Sequence, residues 1–159
     1  GRSLTGTLGI GHTRWATHGE PNDINSHPHL SEGRNIAVVH NGIIENYVEI
    51  KEFLISQGMH FSSETDTEVV AQLLEYFYDS CGDFMASVYR VLDRIEGAYA
   101  LGIMCKDTPD SFVACGMVKA GLGWSIVPEI CLSYFDGIAE PHVLWRIGFR
   151  QRIKKQSAA

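Results

Sequence analysis

The chain has 159 residues, 45% of them hydrophobic and 20% charged, the balance of a globular chain long enough to bury one sizeable core. A formal net charge of -6 works against the phosphate attraction that drives non-specific nucleic-acid binding, so DNA and RNA are not expected partners. The four cysteines, Cys81, Cys105, Cys115 and Cys131, form no C-x-x-C pair and no signal-peptide pattern is present. No apolar run is long enough to span a bilayer, so a cytoplasmic protein with reduced thiols, away from membranes, is expected.

In chain order, Ser3 to Trp15 alternates small, polar and apolar side chains and predicts one or two short strands, with glycines where strands bend. Pro21 to Gly33 is rich in Pro, Asn, Asp, Ser and Gly without periodicity, which predicts a surface loop. Ile36 to His40 is a short apolar run that predicts a buried strand, ended by the Asn41-Gly42 pair as by a tight turn. Three helices follow. Tyr47 to Gln57 carries Ile50, Phe53 and Leu54 on one face and stops at Gly58. Thr65-Asp66-Thr67-Glu68 has capping-box spacing and opens an apolar stripe of Val69, Val70, Leu73, Leu74 and Phe77 that ends before Gly82. Phe84, Val88, Val91, Leu92 and Ile95 form the third stripe, closed by Gly97. Ala98 to Cys105 and Ser111 to Cys115 then predict two strands around a turn over residues 106–110. Strands, helices and strands again point to an α+β fold. After about Gly116 the texture changes, and Arg146, Arg150, Arg152, Lys154 and Lys155 gather in a tail read as a solvated basic end.

Polar chemistry concentrates between Gly11 and Asn46, where five of the seven histidines, His12, His18, His27, His29 and His40, lie. Arg14 offers a planar fork of donors suited to a carboxylate, and Trp15 an apolar wall. Asn41-Gly42 carries two readings. As a type I′ hairpin turn it is the commoner meaning of the dipeptide. As a side-chain amide beside a backbone N–H it is a two-donor oxyanion hole for acyl transfer. His27 and His29 suggest a metal, but no Cys or H-E-x-x-H frame completes a ligand set, and hydrogen-bonded loop or core histidines are expected instead. Asp66 is a helix-capping carboxylate or a receiver for a ligand ammonium group.

Gly11 to Gly19, Asn25-Ser26-His27-Pro28-His29, His40 to Asn46 and Ser63 to Glu68 together resemble, in order and spacing, the glutaminase domain of the glutamine–fructose-6-phosphate aminotransferase (glucosamine-6-phosphate synthase) family of amino sugar biosynthesis. The resemblance covers roughly residues 5 to 115. It implies an N-terminal-nucleophile hydrolase fold, an αββα sandwich of two sheets between helix layers, incomplete in this chain. It also implies a glutamine pocket: Arg14 grips the α-carboxylate with Trp15 alongside, Thr17 and His18 complete the pocket, Asn41 and Gly42 form the oxyanion hole, and Asp66 takes the α-amino group. No cofactor or metal is called for. The implied partners are L-glutamine and the isomerase domain of a homodimeric full-length enzyme that passes ammonia to fructose-6-phosphate. The family nucleophile is an N-terminal Cys whose own amine is the base; residue 1 here is Gly, so the chain as it stands is expected to be a fragment that binds glutamine without hydrolysing it. A non-catalytic glutamine-sensing module is the alternative. The expected domains are residues 1–115, a partial amidotransferase unit, and residues 116–159, a divergent or chimeric segment. Met117 to Gly137 in the latter weakly resembles the effector domain of LysR-type regulators.

Overall fold

The computed structural model describes residues 8–13 and 20–117. Within them lies an α+β unit: strands β1 (His29–Leu30) and β2 (Ile36–Ile44), helices α1 (Tyr47–Ser56), α2 (Asp66–Cys81) and α3 (Phe84–Leu92), then strands β3 (Gly97–Cys105) and β4 (Phe112–Met117). The strands form one antiparallel sheet in the order β1-β2-β3-β4. The long β2–β3 pairing runs from Ile36 opposite Cys105 to Ile44 opposite Gly97.

Side-chain alternation divides the sheet into two faces. Ile36, Val38 and Ile44 of β2, Tyr99, Leu101 and Ile103 of β3, and Val113 and Cys115 of β4 are buried in one core with Leu54 of α1, Val69, Val70, Leu73 and Leu74 of α2, and Val88 and Val91 of α3. The opposite face carries smaller or half-exposed groups, among them Val39, Asn41 and Ile43 with Ala98, Ala100 and Ala114. Helix α2 is the central helix, in contact with α1, α3, β1 and β2.

Local signals explain the helix ends. The Thr65 hydroxyl accepts the Glu68 N–H, and the Glu68 carboxylate accepts the N–H groups of Ser62 and Ser63 at 2.9 and 2.6 Å, so it reaches past the cap residue to the two donors two and three positions before it, a variant of the capping box. Gly82 closes α2 in the left-handed conformation at φ 67°. The Asp83 carboxylate caps α3 through the Ala86 N–H.

Four expectations need correction. Strand β2 does not stop at His40; Asn41 and Gly42 pair with Ala100 and Tyr99 inside it, because Ile43 and Ile44 continue the apolar sequence and Ile44 is fully buried. The loop over residues 21–33 contains the short strand β1, where His29 pairs with Val38. Helix α3 ends at Leu92, and Gly97 opens β3 instead of closing the helix. At φ 133°, a Cβ on Gly97 would run into the Ile43 carbonyl oxygen, so this glycine permits the close approach of two strands. Residues 8–13 are neither helix nor strand; Gly9 and Gly11, on either side of the half-buried Ile10, are weak strand formers. The strand expected over Ser3 to Trp15 otherwise falls outside the described residues. So do the basic tail and the LysR-like segment beyond Met117.

Candidate active site

Strand β2 positions the site by alternation. His40 points into the helix-facing core and is 4% exposed, whereas Asn41, one residue on, lies exposed on the opposite face. The cross-strand neighbours of Asn41 are small: Ala100 on β3, and beyond it Gly116 on β4. Its amide therefore stands over low ground. Gly42 follows with φ 112°, where L side chains are strained, and a Cβ there would strike the Ala98 carbonyl oxygen and lie 2.8 Å from the Tyr99 Cα. Position 42 thus admits glycine on both conformational and steric grounds.

Behind the strand a polar network ties β2 to the start of α2. The Asp66 carboxylate, 2% exposed, accepts the Ile44 N–H through Oδ2 at 2.9 Å. Its Oδ1 has longer contacts, 3.5 Å from Thr67 Oγ1 and 3.7 Å from His40 Nδ1. Thr65, not Asp66, supplies the cap of α2. The Thr67 hydroxyl lies 2.9 Å from His40 Nδ1 and 3.2 Å from His27 Nε2, and the His27 Nδ1 accepts the His40 backbone N–H at a long 3.4 Å. His29 Nε2 meets the Thr65 hydroxyl at 2.9 Å.

The imidazoles form a cluster. Ring centroids are 4.7 Å apart for His12 and His27, 5.2 Å for His27 and His29, and 6.4 Å for His27 and His40. At the open end, His12 Nε2 lies 2.7 Å from Asn41 Oδ1. His27 and His29 thus spend ring nitrogens on hydroxyls and backbone, the hydrogen-bonded reading of the His-Pro-His motif. Among the described residues no group of three His, Cys, Asp or Glu side chains is arranged to hold a metal ion.

Of the predicted site residues, Asn41 and Gly42 lie in the second half of β2, and Asp66, at the start of α2, reaches the residues on either side of that dipeptide, bonding the Ile44 N–H and lying 3.7 Å from His40, while the Asn41 side chain faces the other side of the sheet. Arg14, Trp15, Thr17 and His18 lie outside the described residues. Sequence reasoning missed Thr67 and the role of His12. Thr67 was visible only as part of the capping box, and no local spacing links His12 to a partner 29 residues away. Two open clefts, of about 470 and 440 Å³, flank the β1–β2 loop, and neither is lined by Asn41, Gly42 or Asp66.

The described cysteines sit elsewhere. Cys105 and Cys115 are buried, and burial pushes the Cys115 thiol up to about 12. A thiol held in that state is a poor nucleophile at neutral pH.

Residues 12–116 match the family model described as a glutamine amidotransferase domain. The chain belongs to the glutamine amidotransferase family. It is 67% identical over 111 residues to the glutamine–fructose-6-phosphate aminotransferase [isomerizing] of Caldanaerobacter subterraneus subsp. tengcongensis, a match covering 70% of this chain and 18% of the relative. The enzyme of the same name from Thermotoga maritima is 53% identical over 119 residues, 73% of this chain and 19% of its own. The chain therefore spans about a fifth of the length of these curated relatives. Among solved structures, the glutamine phosphoribosylpyrophosphate amidotransferase of B. subtilis, complexed with ADP and GMP, aligns with a TM-score of 0.53 and 28% identity, covering 66% of this chain and 22% of that one. The sheet and its helix layer are thus those of an N-terminal-nucleophile hydrolase of the glutamine amidotransferase kind. Among the described residues no helix is long and apolar enough to cross a membrane.

Proposed function

We propose that this chain is the glutamine-gripping and oxyanion part of the glutaminase of a glutamine–fructose-6-phosphate aminotransferase. The observation that carries the reading is the placement of Asn41-Gly42 within a paired strand, with the amide on the open face of the sheet and a positive φ at the glycine. In mid-strand, a positive φ turns the adjoining peptide away from the regular ladder, which favours an N–H placed beside the Asn41 amide.

The reaction assigned to the parent enzyme is acyl transfer from glutamine. A thiol attacks the side-chain carboxamide carbon, and Asn41 Nδ2–H and the Gly42 N–H stabilise the resulting oxyanion. Ammonia leaves, and water cleaves the thioester to glutamate. The substrate is held at both charged ends, so that its amide is oriented before reaction. Arg14 grips the α-carboxylate with Trp15 alongside, Thr17 and His18 line the pocket, and Asp66 receives the α-ammonium. Oδ1 of Asp66, with its long contacts, is the oxygen assigned to the ammonium, since Oδ2 is engaged by Ile44.

The nucleophile is assigned to an N-terminal Cys of the mature enzyme, consistent with the burial of Cys105 and Cys115. The ammonia acceptor is fructose-6-phosphate on an isomerase domain of a homodimeric, cytoplasmic parent. The amidotransferase unit is proposed to end near residue 115, with residues 116–159 a separate segment. Support comes from the family match to residues 12–116 and the names of the relatives.

Calorimetric titration of the chain with L-glutamine and glutaminase kinetics of the full-length parent test this reading. Binding is expected in the first. In the second, Asn41→Ala should lower kcat by about 10²–10³ with little change in KM, the cost of one oxyanion donor. No binding by the chain and no effect of Asn41→Ala would overturn the reading. Binding to a parent that never turns glutamine over would identify a sensing module instead.

A further inference from the structure

Asn41 can serve as an oxyanion donor only if its amide faces the right way. A side-chain amide presents an acceptor on one side and a donor on the other, and rotation by 180° exchanges them. Strand β2 fixes where the Asn41 side chain stands but not which of its two ends faces the substrate, and Ala100 and Gly116 across the sheet carry no polar side chain to decide it. Among the described residues, the partner that can decide it is His12, whose Nε2 lies 2.7 Å from Asn41 Oδ1.

We propose that His12 is a positioning residue, which donates its Nε2–H to Asn41 Oδ1 and so holds the Asn41 NH₂ group toward the developing oxyanion. The proposal rests on the oxyanion role argued for Asn41. An amide oxygen only accepts, so a bond to Oδ1 requires the hydrogen on Nε2 of the imidazole. The distance is that of a well-formed hydrogen bond.

The ring of His12 is itself supported. It lies against His27, with centroids 4.7 Å apart and planes tilted by 37°. His27 is braced in turn by the Thr67 hydroxyl at Nε2 and by the His40 N–H at Nδ1. Thr67 also reaches His40, on the buried side of the same strand that carries Asn41. The bracing thus passes from the start of α2 through Thr67 and His27 to His12, and returns to β2 at Asn41. Orientation set beforehand in this way spares the transition state the cost of turning a dipole. The histidine concentration between His12 and His40 then acquires a task that requires no metal.

Two measurements test the proposal. Long-range ¹H–¹⁵N correlation on the chain should show His12 as the Nε2–H tautomer, with the two Asn41 side-chain amide protons distinct and slowly exchanging. His12→Phe, which keeps a ring against His27 but removes the donor, should make the Asn41 amide exchange at least several-fold faster. A bare Nε2 with the hydrogen on Nδ1 would overturn the proposal, because the Asn41 NH₂ would then point at His12. In the full-length parent, His12→Phe should lower kcat for glutamine hydrolysis by about 10²-fold with KM nearly unchanged, and His12→Gln, which restores an N–H donor, should recover part of the loss. A rise in KM at unchanged kcat would make His12 a substrate-binding residue and overturn the positioning role. If the parent binds and hydrolyses no glutamine, the reading of the function fails, while the tautomer measurement still decides the hydrogen bond.

Discussion

At Gly42 two requirements coincide in one residue. The backbone is left-handed at φ 112°, and the space a Cβ would fill is taken by the backbone of Ala98 and Tyr99 across the ladder. Gly42→Ala should therefore destabilise the chain by about 3 kcal/mol or more, since strained backbone and overpacking each cost about 1–3 kcal/mol. Urea unfolding monitored by circular dichroism measures this, and an unchanged midpoint would show that the strand relaxes locally. Asn41 differs. Exposed on the open face, with its described hydrogen bond going to His12, it should tolerate Ala with little loss of stability while losing turnover. The dipeptide thus separates a residue required for folding from one proposed to serve chemistry. Its strand setting was partly legible: Ile43-Ile44 after Asn41-Gly42 extends the apolar run, whereas the turn propensity of Asn-Gly is a local preference that pairing along nine residues of β2 and β3 overrides.

At the scale of elements, α2 is the best-announced feature of the chain, because its signals are local. Thr65, Glu68 and Gly82 act within a few residues of the ends they fix. The Glu68 carboxylate is desolvated by burial, which alone would raise its pKa, but hydrogen bonds from Ser62 and Ser63 outweigh this and hold it below the ordinary Glu value. A group depressed in the folded state contributes stability that is present above its unfolded value, near 4.5, and is lost as pH falls through the folded value. Glu68→Gln should thus cost about 1–3 kcal/mol at pH 7 and flatten the acid limb of a stability-versus-pH curve below about pH 4.5. An acid limb as steep as that of the wild type would place the pH dependence elsewhere. Helix α3 shows the opposite case. Its apolar stripe runs on to Ile95, which is 3% exposed although the helix stops at Leu92. Burial continued after the helical geometry had ended, so periodicity overshot the boundary. A further tie escaped local reading altogether: Asn46 precedes α1 but caps nothing, and instead joins Arg94 and Glu96 through its side-chain amide at 2.9 Å each.

For the whole described unit, the fold class and the helix-facing core were legible because both follow from period-two and period-3.6 patterns. The histidine cluster was not, since its contacts join residues 13 to 40 positions apart and nothing in the spacing of His12, His27 and His40 specifies which will meet. The cysteines give a test of the core as a unit. Cys81 is partly exposed, and a hydrogen bond with the Ser87 hydroxyl holds its thiol below the ordinary value. Cys115, at about 12, has roughly one thiolate in 10⁴ at pH 8. Alkylation at pH 8 followed by peptide mass mapping should therefore modify Cys81 within minutes and leave Cys105 and Cys115 intact until urea opens the core. Simultaneous modification of Cys81 and Cys115 would mean that the sheet and helices open far more often than their packing implies.

The alternation of His40 and Asn41 on one strand bears on how freely such a protein can change during evolution. Residues on the helix side of β2 are answerable to a packed core, and those on the other side to whatever molecule approaches it. Substitutions at odd-numbered positions of the strand are therefore expected to leave the packed core in place, so that Asn41 is held there by its proposed chemistry and not by the architecture. Asp66 has no such latitude. Its carboxylate fastens α2 to Ile44 in the same place where a ligand's ammonium group is proposed to dock, so any variant there must satisfy two selections with one side chain.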